Sequence, residues 1–321
     1  MAKVAVTDFG GGEVEVEKKI LEPLGCQVVL KQCKTTEEMI DLTSDADYVI
    51  TQFAKVNADV INAMKKSKII VRYGIGVDNV DLEAAAKKGI PVCNVPDYCI
   101  DEVADHALAM ALSLTRRITQ NSNVVKSGTW KLAVAVSDMK ALKEMTVGVV
   151  GFGRIGREVV ARFKAFKAKV LVFDPVVDGG EIRKAGCTPA TLDEIYGQSD
   201  LISLHCPSNA KTKLMINAES IKKMKKGVLL VNTSRGDLVK TDDLVAGLQS
   251  GKVGAVALDV TNPEPIPADS PLLKMDNVII NSHVASCSAV AVTKLRTSVA
   301  NLVAMAIRGQ KLPTVVNRVK Q

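Results

Sequence analysis

The sequence predicts an α/β protein built from two doubly wound parallel sheets. Two series of short apolar runs alternate with helical stretches along its 321 residues, and strands that alternate with helices form parallel sheets joined by right-handed crossovers. The composition favours the same class, because 47% of the residues are hydrophobic but only 3% are aromatic, as in the aliphatic interior of a sheet that helices cover. The chain is too long for one compact core, so we expect two domains.

The first series lies in the amino-terminal part of the chain, where stretches such as ADVINAMKK and DLEAAAKKG are helical in pattern. The predicted strands are Val4–Val6, Val28–Leu30, Tyr48–Ile50, Ile69–Val71 and Ile90–Cys93. The segment RYGIGVDN contains Gly74 and Gly76 but lacks the third glycine of a dinucleotide-binding turn. We therefore predict no dinucleotide site in this series.

A long helix, DEVADHALAMALSLTRRI, follows the first series. Asp101 suits its N-cap, and its apolar residues cover a wide arc, so we expect it to be buried between layers or between subunits. His106 lies in its middle and is expected to be a packed or interface residue. A corresponding helix is predicted from about Ala289 to Arg308, after the last strand. Helices of this kind suit domain crossing and dimerisation.

The second series contains the sharpest local signal in the sequence. Its predicted strands are Val147–Val150, Val170–Phe173, Leu201–Leu204, Val228–Val231, Ala255–Leu258 and Val278–Ile280. Gly151, Gly153 and Gly156 form G-x-G-x-x-G directly after the first of these strands and open a helix, and Asp174 ends the next strand. Glycines at these positions let backbone N–H groups approach a pyrophosphate at the positive end of a helix.

Asp174 indicates which dinucleotide the turn would bind. A carboxylate at the end of the second strand accepts hydrogen bonds from an adenosine ribose and repels a 2′-phosphate, and no Arg or Lys directly follows it in DPVVDGG. The sequence therefore favours NAD over NADP. The alternative, a glycine-rich turn that only packs a helix on a strand, is disfavoured by the complete context of strand, helix and acid.

Polar residues follow the later strands of the second series, where a bound dinucleotide would react. Reduction of a carbonyl needs a proton donor and a cation that holds the substrate. His283 can donate a proton, Glu264 can orient the imidazole and favour its protonated form, and Arg235 can hold a carboxylate by two parallel hydrogen bonds. In isolation Glu264 would be an ordinary exposed acid of a proline-rich loop. His205 is expected to bond to the backbone near the cofactor and not to be catalytic.

Composition excludes several other classes. The net charge of +7 is spread along the chain without an Arg-rich tract or interleaved aromatic residues, so we expect no nucleic-acid partner. The seven cysteines include no C-x-x-C pair, which argues against a disulfide framework and against a metal site. No apolar run of about 18 residues and no signal-peptide pattern is recognised, so we expect a cytoplasmic protein with no membrane partner.

Over essentially its whole length, the chain resembles the D-isomer-specific 2-hydroxyacid dehydrogenases. The likeness lies in GIGVDNVDLEAAAKKGIPVCNVP, GFGRIGREV with FDP, SLHCP with TKLMIN, MKKGVLLVNTSRGDLV, GAVALDV and NVIINSH. VRYGIGVDNVD and VPDYCIDEVADHALA resemble the branch that contains the C-terminal-binding-protein corepressors, and a phosphoglycerate dehydrogenase-like branch is similar too. The resemblance implies that Arg235, Glu264 and His283 form a catalytic trio.

The resemblance also implies the ligand contacts and the domain plan. Cofactor contacts are implied at Arg154, Ile155, Asp174, Cys206, Pro207, Thr212, Thr233, Ser234 and Asp259, the last near the nicotinamide carboxamide. Backbone N–H groups of Gly76 and Val77, with Arg235, are implied to hold the substrate carboxylate. A Rossmann NAD-binding domain, residues 100–288, is implied to be inserted in a flavodoxin-like substrate domain, residues 1–99 and 289–321. The implied assembly is a homodimer through the inserted domain.

Departures from related members narrow the expected substrate. Phosphoglycerate-specific members resemble one another at an R-S-x-T loop, but here the residues are Thr51, Gln52, Phe53 and Ala54, so that arginine is missing. Phe53 and Tyr98 either line an uncharged or mildly apolar side-chain pocket or simply pack. Ser286 stands where corepressor-like members have a tryptophan, which argues against a corepressor-like pocket.

The expected activity is reversible, NAD-dependent interconversion of a small 2-oxo acid and its D-2-hydroxy acid. Formate dehydrogenases of the superfamily resemble this chain but carry glutamine where Glu264 stands, so keeping the acid favours proton transfer coupled to hydride transfer. The alternative is an NAD(H)-sensing, corepressor-like binding protein with a secondary dehydrogenase site, against which the intact trio argues.

Overall fold

The computed structural model describes residues 1–320 and divides into two compact units. The first consists of Met1–Tyr98 and the carboxyl-terminal segment from Ser288, and the second is the continuous stretch Cys99–Cys287. Each unit has its own parallel sheet and its own hydrophobic cores on the two faces of that sheet.

The first unit contains a five-stranded parallel sheet with the order β2-β1-β3-β4-β5. Its strands are β1 (Ala2–Val6), β2 (Cys26–Leu30), β3 (Tyr48–Thr51), β4 (Ile70–Arg72) and β5 (Val92–Cys93). Its helices are α1 (Glu15–Leu21), α2 (Thr36–Thr43), α3 (Ala58–Ala63), α4 (Leu82–Lys87) and, at the far end of the chain, α12 (Ala289–Ile307). This order is that of flavodoxin-like sheets, which confirms the predicted architecture of this unit.

The second unit contains a seven-stranded parallel sheet with the order β12-β11-β10-β9-β6-β7-β8. Its strands are β6 (Thr146–Val150), β7 (Lys169–Phe173), β8 (Thr188–Pro189), β9 (Leu201–Leu204), β10 (Val228–Asn232), β11 (Val253–Leu258) and β12 (Val278–Ile280). Its helices are α5 (Ile100–Arg116), α6 (Ile118–Lys126), α7 (Arg154–Ala165), α8 (Gly179–Lys184), α9 (Leu192–Gln198), α10 (Ala218–Lys223) and α11 (Thr241–Gln249). The order reverses between β9 and β6, where open α/β sheets bind their ligands.

Register aligns the carboxyl ends of six strands of the larger sheet. The last residues of these strands pair in one row across the sheet. They are, in spatial order, Ile280, Leu258, Asn232, Leu204, Val150 and Phe173. Because the strands end together, the residues that follow them all emerge at one edge of the sheet.

The two faces of the larger sheet are covered by different helices. The face of Val147 and Val149 packs on α5 and α7, and the face of Val150 and Ile202 packs on residues of α9, α10 and α11. Strands buried on both faces read as continuous apolar runs. This is why most of the strands could be predicted from runs alone.

Three sequence expectations need correction. Asp101 is not an N-cap, because α5 already begins at Ile100 and Asp101 instead forms an ion pair with Arg162 from the first turn. The helix pattern also ends at Arg117, whose φ of +52° separates α5 from α6. The larger sheet has a seventh strand, β8, whose two residues at the edge are too few to form an apolar run.

The membrane expectation also needs refinement at α12. By length and composition alone, this 19-residue helix is apolar enough to cross a membrane. Its buried residues pack in the core of the first unit, and that packing is a sufficient reason for its composition. They are Ala291, Leu295, Val299, Ala300, Leu302, Val303 and Ala304.

Candidate active site

In the glycine-rich turn after β6, backbone segments pack so closely that side chains would not fit between them. Gly151 has a φ of +100°, and a Cβ there would lie 2.5 Å from the carbonyl oxygen of His205. A Cβ on Gly156 would lie 2.1 Å from the carbonyl oxygen of Gly151, so that α7 starts tight against the strand. A Cβ on Gly153 would meet nothing within 4 Å, which leaves open space in front of the helix.

The amino terminus of α7 meets this open space. No side chain caps the helix, Arg154 at its first position is exposed, and Ile155 is half-buried against the core. Uncapped N–H groups and the helix dipole attract an anion at this position. The turn therefore fits the pyrophosphate of a dinucleotide.

Asp174 directly follows β7, one strand away from the glycine turn. Its Oδ2 accepts the N–H of Phe152 at 2.7 Å, and its Oδ1 accepts the N–H groups of Val176 and Val177 at 2.8 and 3.0 Å. Partial burial raises the pKa of Asp174, but these hydrogen bonds and the charge of Arg157 outweigh it and lower the pKa below the ordinary 3.8. The side chain is thus an ionised acceptor held in place beside the turn, as an adenosine ribose requires.

The segment after β9 contains three residues predicted to contact the cofactor. Thr212 closes the loop by donating from Oγ1 to the carbonyl of Pro207 at 2.6 Å. Burial raises the pKa of the Cys206 thiol to about 11, so it stays neutral. His205 bonds through Nε2 to the hydroxyl of Ser203 at 2.7 Å, and burial lowers its pKa to about 3. The partner is a side chain, so the expected bond to the backbone was wrong.

The segment after β10 brings Arg235 to the same edge. Asn232 organises the turn, because its Oδ1 accepts the N–H of Ser234 at 3.0 Å and its Nδ2 donates to the carbonyl of Arg235 at 2.8 Å. Ser234 in turn donates to the carbonyl of Leu204 on the neighbouring strand at 2.7 Å. Thr233 has a buried hydroxyl oxygen that no described residue hydrogen-bonds. A buried, unpartnered hydroxyl fits a site completed by a ligand.

Gly236 fixes the distance between the Arg235 turn and the loop that carries Glu264. A Cβ on Gly236 would lie 1.8 Å from the carbonyl oxygen of Thr261, so only glycine allows this approach. The charge of Arg235 acts on the Glu264 carboxylate as a consequence of this arrangement. Arg235 also donates from Nη1 to the carbonyl of Ser234 at 2.7 Å.

Glu264 and His283 are joined by a short hydrogen bond. Glu264 Oε1 lies 2.7 Å from His283 Nδ1, and the two side chains are 38% and 27% exposed. Partial burial raises the pKa of Glu264, but the bond to His283 and the charges of His283 and Arg235 outweigh it and lower the pKa below 4.5. An ionised carboxylate at this distance from an imidazole favours a histidine that carries a proton.

Asp259 has a structural duty that the sequence did not indicate. Its side chain is 1% exposed, and its two oxygens accept the N–H groups of Val284 and Ala285, each at 2.9 Å. The backbone N–H of His283 bonds to the carbonyl of Asp259 at 2.8 Å. Asp259 therefore holds the turn that carries His283, besides lying where a contact with the nicotinamide carboxamide was predicted.

The predicted substrate residues belong to the first unit. Gly76 and Val77 lie after β4 and are half-buried. Tyr98 is half-buried and packs on the core of this unit. Phe53 is 53% exposed. This unit thus carries two predicted backbone donors after β4 and an exposed aromatic side chain after β3.

Asp8 and Arg72 are two further residues of this unit that sequence reasoning missed. The carboxylate of Asp8 accepts the N–H groups of Gln52, Phe53 and Ala54 at 2.9, 2.6 and 3.1 Å and so fixes the loop after β3. Arg72 is 8% exposed, donates to the carbonyl of Gln52 at 3.1 Å, and lies 5.7 Å from the ring centre of Phe53. The only signal in the sequence was that Arg72 directly follows the predicted strand Ile69–Val71; its burial and its contact with Gln52 are visible only in the fold.

Arg72 changes the expected character of the pocket. The loop after β3 lacks the arginine of phosphoglycerate-specific members, but a guanidinium still lies over the Phe53 ring. The sequence left open whether Phe53 lines an uncharged or mildly apolar pocket or simply packs. The structure places a positive charge beside its ring.

Comparisons with known proteins give a consistent pattern. Residues 108–285 match the family model for the NAD-binding domain of D-isomer-specific 2-hydroxyacid dehydrogenases. The chain is 37% identical over 324 residues to D-3-phosphoglycerate dehydrogenase of Methanocaldococcus jannaschii, covering 99% of this chain and 60% of that protein. It is 34% identical over 299 residues to glyoxylate reductase of Korarchaeum cryptofilum, covering 92% and 87%.

A solved structure with a similar fold is that of D-lactate dehydrogenase from Aquifex aeolicus in complex with NAD and lactic acid. The TM-score is 0.88 at 30% sequence identity, and the match covers 99% of each chain. The chain spans only 55 to 60% of the first two phosphoglycerate dehydrogenases it matches.

Proposed function

Because the chain belongs to the family of D-isomer-specific 2-hydroxyacid dehydrogenases, we propose that it interconverts a small 2-oxo acid and its D-2-hydroxy acid with NAD. The observation that carries this proposal is the 2.7 Å bond between Glu264 and His283 beside the charge of Arg235. An acid, its carboxylate partner and a cation at one sheet edge are what carbonyl reduction demands of the protein.

The chain's own residues have distinct duties in this reaction. Arg235 binds the substrate carboxylate and polarises the neighbouring carbonyl, since a guanidinium offers two parallel N–H groups. Gly76 and Val77 add backbone N–H groups to the same carboxylate. His283 gives its Nε2 proton to the substrate oxygen during reduction and takes it back during oxidation, and Glu264 stabilises the imidazolium.

NAD would be held by the turn of Gly151, Gly153 and Gly156, by the α7 amino terminus and by Asp174. When bound, the cofactor supplies or accepts the hydride at its nicotinamide ring. The ionised state of Asp174 supports NAD over NADP, because a 2′-phosphate would meet a like charge. The fixed position of these groups contributes to the rate mainly through orientation.

The substrate side chain is proposed to be short and free of phosphate. The loop Thr51, Gln52, Phe53 and Ala54 presents an exposed ring in place of an arginine. The guanidinium of Arg72 lies 5.7 Å from the centre of the Phe53 ring and could interact with a polar group such as a hydroxyl, so glyoxylate, hydroxypyruvate and pyruvate are all candidates.

A steady-state assay tests the proposal. NADH consumption is measured with glyoxylate, hydroxypyruvate, pyruvate, longer 2-oxo acids and 3-phosphohydroxypyruvate, with His283→Ala as the matched control. We expect turnover of at least one unphosphorylated acid that His283→Ala abolishes. NADH binding without turnover of any acid would instead support the NAD(H)-sensing alternative, and preference for the phosphorylated acid would contradict the proposed substrate class.

We also propose that the chain forms a homodimer through the second unit. The segment after α5 exposes Trp130, Leu132 and Val136, which are 91%, 55% and 68% exposed, and α6 has no buried residue. Exposed apolar surface of this kind is typical of an interface. Size-exclusion chromatography with light scattering should give twice the mass of 34.3 kDa, and Trp130→Ser with Leu132→Ser should shift the protein towards the monomer.

A further inference from the structure

The turn that carries His283 adopts a backbone conformation that needs support. His283 has a φ of +58°, in the left-handed region that a residue other than glycine rarely occupies. Three successive N–H groups of this turn, from His283, Val284 and Ala285, all bond to Asp259. Such backbone outliers persist only where the surroundings over-determine them. Asp259 is the residue that does so here.

The Asp259 carboxylate is itself an expensive group to bury. It is 1% exposed, and the hydrogen bonds that reach its oxygens come from two neutral backbone N–H groups. A buried carboxylate is stable only when hydrogen bonds and a nearby positive or polarisable group compensate for lost hydration. Any weakening of that compensation loosens the turn that positions His283.

His106 of α5 supplies a candidate for this compensation. Its Nε2 lies 3.7 Å from Asp259 Oδ1, within ion-pair distance but beyond a hydrogen bond. Nε2 is buried and has no hydrogen-bond partner within residues 1–320, although the side chain as a whole is 25% exposed. Of the three acids on the same helix, Asp101 and Asp105 both bond to Arg162, and Glu102 lies one turn before His106. The imidazole is thus directed towards Asp259.

We propose that His106 is a positioning residue for His283, acting through Asp259. The imidazole of His106 stabilises the buried carboxylate, the carboxylate holds the N–H groups of Val284 and Ala285, and the turn presents His283 to the substrate. This inference rests on the proposed function for its catalytic meaning. Its structural part, that His106 rigidifies residues 283–285, stands on the geometry of the second unit alone.

Hydrogen–deuterium exchange tests the structural part without cofactor or substrate. In His106→Phe, the peptide containing Val284 and Ala285 should exchange several-fold faster than in the wild type, while a peptide covering β10 serves as an internal control. His106→Gln should restore slow exchange, because its side-chain amide can reach the position of Nε2. Equal exchange of the turn in all three proteins would overturn the proposal.

Kinetics separate positioning from cofactor binding and from a general loss of structure. We expect His106→Phe to lower kcat by about 10- to 100-fold, because small displacements of a catalytic group cost about that much, with KM for NADH within about twofold of the wild type. His106→Gln should recover most of kcat. A rise in the KM for NADH with unchanged kcat would mark His106 as a cofactor contact and refute the positioning role.

A double-mutant cycle with Asp259→Asn tests the route of the effect. If His106 acts through Asp259, His106→Phe should reduce kcat little further in the Asp259→Asn background. Fully additive losses would contradict the route. Absence of turnover in the wild-type protein on every 2-oxo acid would refute the proposed function, whereas the exchange measurement would still decide the structural part.

Discussion

His205 and His283 follow strands of the same sheet but have different chemical properties. His205, after β9, bonds to a hydroxyl, that of Ser203, and burial lowers its pKa to about 3. His283, after β12, bonds to the Glu264 carboxylate at the same 2.7 Å distance. Desolvation by burial keeps the first imidazole unprotonated at physiological pH, whereas the second is partly exposed and lies beside an ionised carboxylate. Burial and the neighbouring group, and not the position at the sheet edge, distinguish the two histidines.

Removing His283 should have the largest effect. His283→Ala deletes the proton donor, so we expect kcat for 2-oxo acid reduction to fall by about 10³-fold, within the range that general acids contribute. The affinity for NADH, measured by fluorescence titration, should change by less than about threefold, which shows that the variant is folded. A kcat within tenfold of the wild type would exclude His283 as the donor.

Replacing the carboxylate partner should have an intermediate effect. Glu264→Gln keeps a hydrogen-bond acceptor but removes the charge that favours the imidazolium, so we expect kcat at pH 7 to fall by about 10- to 100-fold. The pH profile for reduction should change in the variant, because the negative charge 2.7 Å from the imidazole is gone. A profile identical to that of the wild type would show that Glu264 acts by orientation alone.

His205 should affect stability at acidic pH. Its folded-state pKa of about 3 lies below the ordinary 6.5, so the unfolded chain binds a proton that the folded protein does not, and stability falls as pH drops below about 6.5. His205→Gln cannot titrate. We expect the free energy of unfolding, measured by urea denaturation, to fall between pH 7.5 and pH 5 by on the order of 1 kcal/mol more in the wild type than in the variant. An equal loss would mean that His205 is protonated in the folded protein.

The smallest effect is expected for the activity of that same variant. His205→Gln can keep the bond to Ser203, and the imidazole it replaces is neutral above pH 5, so kcat should stay within about threefold of the wild type and the pH profile should keep its shape above pH 5. A pH profile that changes in His205→Gln as it does in Glu264→Gln would erase the distinction between the two histidines.

Buried parallel strands were the most predictable part of the fold. The run Leu201–Leu204 coincides with β9, because a strand buried along its whole length is mostly apolar, with Ser203 as its one polar residue. Val278–Ile280 also coincides with β12, although this edge strand is only half-buried. Edges and helix ends were less predictable. β8 has only two residues, and the break at Arg117 has no glycine or proline to mark it.

The candidate site likewise contains residues that could be named from the local sequence and residues whose roles depend on contacts made only in the fold. Arg235, Glu264 and His283 follow strands and could be named from sequence, and the structure brings them to one sheet edge. The role of Asp259 in holding residues 283–285 and the approach of His106 could not be predicted, since both depend on contacts between residues far apart in the chain. Arg72 and Asp8 were missed for the same reason.

The close approach of Gly236 to the Thr261 carbonyl has a consequence for the divergence of such proteins. A side chain at Gly236 would collide with the backbone of Thr261, so the turn of Arg235 and the loop of Glu264 meet directly at this point. An insertion in either segment would change the distance between the cation and the acid. These two segments must therefore be inherited, or transplanted by a protein engineer, as one unit. New substrate specificities would then arise from residues outside these two segments.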